Sequence, residues 1–111
     1  MEWINIKVSS LRDPSYIGST PTERATWFNV LGFSVEQENS GRILGGASWK
    51  DRQWQQTCGV TLREVRAATK LLTFQDQDVF VWAYPLDTEE DVQNKQVVCD
   101  YYFCKRFLSH P

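Results

Sequence analysis

The chain has 111 residues, 41% of them hydrophobic and 23% charged, with a formal net charge of −2. That length suits one domain around one core, the apolar runs fall far short of the ~20 residues of a membrane helix, and the acidity argues against generic charge-driven nucleic-acid binding. The opening MEWINIKVSS has neither the basic start nor the apolar stretch of a secretory signal, so the expected compartment is the cytoplasm, where three cysteines without framework spacing are thiols.

Trp3 to Val8 alternates, with Ile4, Ile6 and Val8 on one face, which predicts a short half-buried strand. Leu11 to Ser19, with Asp13-Pro14 and Gly18, reads as a loop with room for one helical turn. Thr20-Pro21-Thr22-Glu23 combines an N-cap threonine, proline at the first helical position and glutamate at the third, so a helix starts there and runs to about Gln37. Its inward residues are Trp27, Phe28, Leu31 and Val35; Glu23, Arg24, Glu36 and Glu38 face water. Glu38-Asn39-Ser40-Gly41 is a turn, and Arg42-Ile43-Leu44 before Gly45-Gly46 leaves space for a very short strand. GRILGG is no phosphate loop, because neither a lysine-serine or lysine-threonine pair follows nor a long strand precedes it.

Between Ser48 and Lys70 two short helical patterns meet at Cys58-Gly59-Val60-Thr61. Ser48 is placed to cap the first helix, and Gly59 supplies the positive φ of a tight helix end. Thr61 and Glu64 form a capping box that restarts the chain at once, which requires a sharp corner of helix-turn-helix type. Trp54, Cys58, Val60, Val65 and Ala68 fall on its buried side; Arg63, Glu64, Arg66, Ala67 and Lys70 face out. Residues 42–70 carry Arg42, Lys50, Arg52, Arg63, Arg66 and Lys70 against Asp51 and Glu64, a net +4, whereas the flanking segments are acidic.

Leu71 to Phe74 and Val79 to Tyr84 are apolar and β-prone, and Gln75-Asp76-Gln77-Asp78 separates them, which predicts a β-hairpin with an acidic tip. Pro85 ends its second strand, and Asp87-Thr88-Glu89-Glu90 starts a helix toward Gln96. Beyond it, Val97, Tyr101, Cys104 and Leu108 line a helical stripe suited to packing on the domain or on a second copy. The expected fold is therefore α+β: a small winged helix-turn-helix domain over residues 1–96, with three core helices, a short β-hairpin wing and an additional C-terminal helix, followed by an apolar tail at 97–111.

Over roughly residues 1–96 the pattern resembles the N-terminal winged-helix domain of phage-type replisome organisers and their uncharacterised bacterial relatives. The resemblance is carried by Trp3-Ile4-Asn5-Ile6, Thr20-Pro21 with Trp27, Glu38 to Ile43, Trp49-Lys50-Asp51-Arg52 with Trp54, Cys58 to Thr61, Asp78 to Val81 and Tyr84-Pro85-Leu86. It implies that the second helix of the corner, Thr61 to Thr69, is a recognition helix, and that the domain serves replication or transcription control. Gln55 stands where such proteins commonly place alanine, which requires a loose contact there.

On duplex DNA, Arg63 and Arg66 are spaced to reach a base edge and a phosphate together, Thr61 and its helix end would hold another phosphate, and Lys50, Arg52 and Lys70 would meet the backbone. Glu64 opposes this unless it accepts from a cytosine amino group. Overall acidity, the acidic tip and the apolar tail favour a different role, a protein-interaction winged helix with a replication or regulatory partner, and residues 97–108 could join two copies. No metal or cofactor is expected: Cys99 and Cys104 are wider apart than a zinc knuckle, and Cys58 has a structural place. No enzyme is expected either, since the single histidine, His110, is next to the last residue and no serine or cysteine has a base partner. Trp27, Trp54 and Trp82 are assigned to the core.

Overall fold

The computed structural model describes residues 4, 6–37, 39 and 41–83, together with the backbone of residues 85–86 and 98–99. These contain four α-helices, α1 (Pro14–Ile17), α2 (Pro21–Gln37), α3 (Asp51–Cys58) and α4 (Leu62–Ala67), and five strands, β1 (Arg42–Ile43), β2 (Leu72–Gln75), β3 (Asp78–Val81), β4 (Pro85–Leu86) and β5 (Val98–Cys99). The class is α+β. Three strands form an antiparallel sheet in the order β1-β3-β2, with Arg42 opposite Phe80 and Phe74 opposite Val79. None of the described helices is long and apolar enough to cross a membrane.

α2 begins as its residues require. The Thr20 hydroxyl accepts the Glu23 N–H at 3.1 Å and Glu23 Oε1 accepts the Thr20 N–H at 2.8 Å, which satisfies two donors that a helix end leaves without partners. Trp27, Val30, Leu31, Ser34 and Val35 form its buried face, packed on α3, α4, β1 and β3. Phe28, expected inside, is 58% exposed. Each residue rotates the helix by ~100°, and the buried stripe centres between Trp27 and Leu31, so Phe28 falls on its border, its ring tilted against Trp27 at a centroid distance of 6.3 Å. Glu23 and Arg24, expected in water, are half-buried. Glu23 is held by its cap, while Arg24 donates to the carbonyls of Tyr16 and Ile17, both at 2.9 Å.

The fully buried side chains converge from every layer: Trp27, Val30 and Leu31 of α2, Ile43 of β1, Trp54 of α3, Val65 of α4, Leu71 before and Leu72 in β2, and Val79 and Val81 of β3. Burial of each large aliphatic side chain contributes about 1.5–3 kcal/mol, so this cluster outweighs any single polar contact. Trp27 Nε1 donates to the Trp82 carbonyl at 2.8 Å, tying α2 to the end of the hairpin. Among the described residues the buried indole N–H groups of Trp54 and Trp82 have no acceptor.

Three expectations change. Among the described residues of the N-terminus no strand forms: Ile4 and Ile6 pack on the core outside any strand, and Val8 opens a 3-10 helix to Arg12 and is 70% exposed. Alternation correctly marks Ile4 and Ile6 as core-facing but not Val8, and a strand also needs a paired backbone. The second hairpin strand stops at Val81: Trp82 still donates in register to the Leu71 carbonyl, but Ala83 then adopts φ +56, which leaves the pleat; Pro85 lies in β4 rather than ending a strand. Helical continuation beyond Val97 is contradicted at Val98–Cys99, a strand paired antiparallel with Pro85–Leu86. The helix expected from Asp87 to Gln96 and the rest of the stripe at 97–108 lie outside the described residues.

Trp27→Phe and Trp54→Phe should differ in cost. Both lose volume, but only the first leaves a buried carbonyl without its donor, an extra ~1–3 kcal/mol; urea unfolding that ranks the two equally would contradict the assignment. Cys58 gives a pH signature, because burial pushes its thiol up from 9.0 to about 11. The unfolded chain releases this proton near 9.0 and the folded one near 11, so the thiol's share of stability is intact below pH 9 and falls as pH rises through that window. Unfolding curves of the wild type and of Cys58→Ala should diverge across it, and a constant difference would refute it.

Candidate nucleic-acid interface

The corner between α3 and α4 closes on Gly59, whose φ of +70 lets its N–H return to the carbonyls of Gln55 and Trp54. No β-carbon is tolerated there without strain. Val60 is buried, and Thr61 starts α4 with both halves of the capping box: Thr61 Oγ1 accepts the Glu64 N–H at 3.1 Å, and Glu64 Oε1 accepts the Thr61 N–H at 2.8 Å. Val65 and Ala68 then point into the core, and Arg63, Arg66 and Ala67 are exposed. All five residues expected on the inner side of the corner, Trp54, Cys58, Val60, Val65 and Ala68, are buried.

α3 starts later than expected. Ser48 is not its cap: it sits in a 3-10 turn, Gly46–Ser48, and its hydroxyl donates to the Gly45 carbonyl at 2.9 Å. Trp49 and Lys50 are extended, because the Trp49 ring is drawn between Phe33 and Trp54, with centroids at 5.7 and 4.7 Å. Asp51 is therefore the first helical residue, where an acid suits the helix dipole. Its carboxylate has a second use that sequence reasoning missed. Oδ1 accepts the Leu62 N–H at 2.8 Å, eleven residues on, and Oδ2 accepts from Gln55 Nε2. Gln55 itself is exposed, so the position where alanine is common makes no tight contact.

Asp51 thus brings the start of α3, with Lys50 and Arg52, to the start of α4, with Arg63; all three cations are exposed. The amides of Leu62 and Glu64 are already occupied, and two carboxylates, Asp51 and Glu64, stand at that end. The phosphate expected on Thr61 and the helix end would meet both. Nor is Glu64 disposed to read a base, since it is half-buried and spends one oxygen on its cap. α4 also ends at Ala67, short of the expected Thr69.

The remaining two cations lean on the fold. Arg66, in the last turn of α4, sets its guanidinium carbon 4.7 Å above the ring of Phe74 in β2. Lys70 Nζ reaches the Gly18 carbonyl at 3.2 Å, and with Arg24 on Tyr16 and Ile17 it covers the carbonyl end of α1. The six candidates Thr61, Arg63, Arg66, Lys70, Lys50 and Arg52 therefore share one corner but not one geometry. The hairpin tip is also held: the Ala47 N–H donates to the Gln77 carbonyl at 3.1 Å and Asp78 Oδ1 accepts the Gly45 N–H at 2.8 Å. Asp78 is consequently anchored to the loop, and of the two turn acids Asp76 is the exposed one, with φ +57. Among the described residues no group of His, Cys, Asp and Glu is placed to hold a metal ion.

Thr61→Ala should cost about 1 kcal/mol of stability through loss of the cap, and Asp51→Ala a similar amount by leaving the Leu62 N–H without its carboxylate. Their double variant should lose roughly the sum if the two contacts act independently; chemical denaturation showing no loss for either would contradict the assigned bonds. Compared with protein-family models, with curated proteins and with solved structures, the chain matches none.

Proposed function

We propose that the chain is a winged helix-turn-helix domain that binds duplex DNA through the outward face of α4, in a cytoplasmic replication or regulatory role of phage or bacterial type. The order α2-β1-α3-α4-β2-β3 with sheet order β1-β3-β2 supports the winged arrangement. The observation that carries the DNA reading is α4 itself: Val65 and the following Ala68 bury its apolar side, and its solvent side offers Arg63 and Arg66. Lys50 and Arg52, drawn alongside through Asp51, extend the positive surface. Arginine is suited to both base edges and phosphates, and backbone contacts from several cations set register before any base is read. The short hairpin, tied down at residues 45–47, acts here as a support for α4.

A second reading, a protein-interaction module for a replication or regulatory partner, is favoured by the carboxylates at the start of α4 and by Ile17 and Phe28, 55% and 58% exposed. Salt separates the two. About four phosphate or base contacts from Arg63, Arg66, Lys50 and Arg52 predict log K falling with log salt at a slope of about −3 to −4. Arg63→Ala with Arg66→Ala should then weaken binding at least roughly tenfold while the protein still melts cooperatively. Wild-type protein without salt-dependent affinity for random duplex DNA would reject the DNA reading in favour of the protein module.

A further inference from the structure

Arg66 and Phe74 lie eight positions apart and on different elements, yet the guanidinium carbon stands 4.7 Å over the ring centroid. The ring is held by the sheet: Phe74 pairs with Val79 in the β2-β3 ladder and is half-buried on the same side of β2 as the buried Leu72. Arg66 is exposed, and among the described residues no hydrogen bond takes its N–H groups. One face of the guanidinium is therefore occupied while its donors remain directed to solvent. Its position in the last turn of α4 adds the attraction of the helix carbonyl end for a cation.

We propose that Phe74 is a positioning residue for DNA binding: its ring stacks Arg66 into a set orientation, so that the guanidinium meets a backbone phosphate without first losing side-chain freedom. The inference rests on the duplex-DNA reading of α4. A long side chain loses rotamer entropy when it is immobilised at an interface, and a planar guanidinium that is already stacked has less to lose. In this arrangement the hairpin contributes to binding through its core-side ring rather than through its tip. Arg63, for which no such contact occurs among the described residues, is the residue left to adapt to a base edge.

The test is a double-mutant cycle on the full chain, read as fluorescence anisotropy with random-sequence duplex DNA over a series of monovalent salt concentrations. Phe74→Leu should weaken the wild type about two- to fivefold, the magnitude of an exposed cation–π contact. It should leave the Arg66→Ala protein unchanged, and Phe74→Tyr, which keeps the π-face, should bind as the wild type does. Thermal melts check each variant, and Phe74→Met, which fills the space without a ring, replaces Leu if that variant does not melt cooperatively. Equal affinity of Phe74→Leu and wild type overturns the proposal, as does an equal loss in the Arg66→Ala background, the mark of a merely structural effect. If wild-type binding shows no salt dependence, the DNA reading fails and takes this inference with it; salt-dependent binding without coupling sinks the positioning role alone.

Discussion

The reversal of chain direction at Gly59 decides which residues of this protein meet solvent. A left-handed residue between two helices turns the backbone within one position, and Val60 is then carried into the core as a pivot. Once the pivot is buried, the period of α4 leaves no choice: Val65 and Ala68 continue inward, so Arg63 and Arg66 stand outward. A helix of six residues would not persist alone, because nucleation costs more than so few bonds return. α4 exists because its start is capped twice over, by Thr61 with Glu64 and by Asp51, and because its apolar side adds to a shared core.

The same contacts show how a net-acidic chain divides its charges between the fold and the solvent. Asp51 and Glu64 satisfy amides at the start of α4, and Arg24 and Lys70 satisfy carbonyls at the end of α1. Charge is thereby used within the fold before it is offered outside. A polyanion approaching α4 meets Arg63, Arg66, Lys50 and Arg52, but also carboxylates that discourage phosphate at the helix end. Such a mixed face gives less generic affinity than a uniformly basic one and makes binding depend on where the cations are held.

Aromatic residues supply the rigidity behind this placement. Tyr16, Trp27 and Trp82 meet at centroid distances of 5.6 to 6.4 Å, joining α1, α2 and the end of the hairpin. On the other flank Phe33, Trp49 and Trp54 join α2 to the entry of α3. Trp49 is half-buried in that second cluster, against Phe33 and Trp54, a structural place for its ring. The tryptophan content of the chain is thus spent largely on locking helices to each other, and the corner inherits its orientation from these locks.

The legible parts of the chain were those in which cause and effect lie within one turn of a helix or one pair of strands. Thr20 with Glu23, Gly59, Thr61 with Glu64, the alternation of β2 and β3, and the inner residues of the corner all follow from neighbours at most a few positions away, and so the α+β class and the exposed arginines could be read from the amino acids alone. The start of α3, the anchored hairpin tip and the pairing of 98–99 with 85–86 could not. They depend on contacts between residues distant in the chain: Trp49 with Phe33, Gly45 with Asp78, and Pro85 opposite Cys99. The amino acids by themselves determined which segments turn, cap and bury. Only tertiary packing decided which charges are spent on the fold and which ring lies under Arg66, because a side chain chooses its partner from whatever the core brings near it.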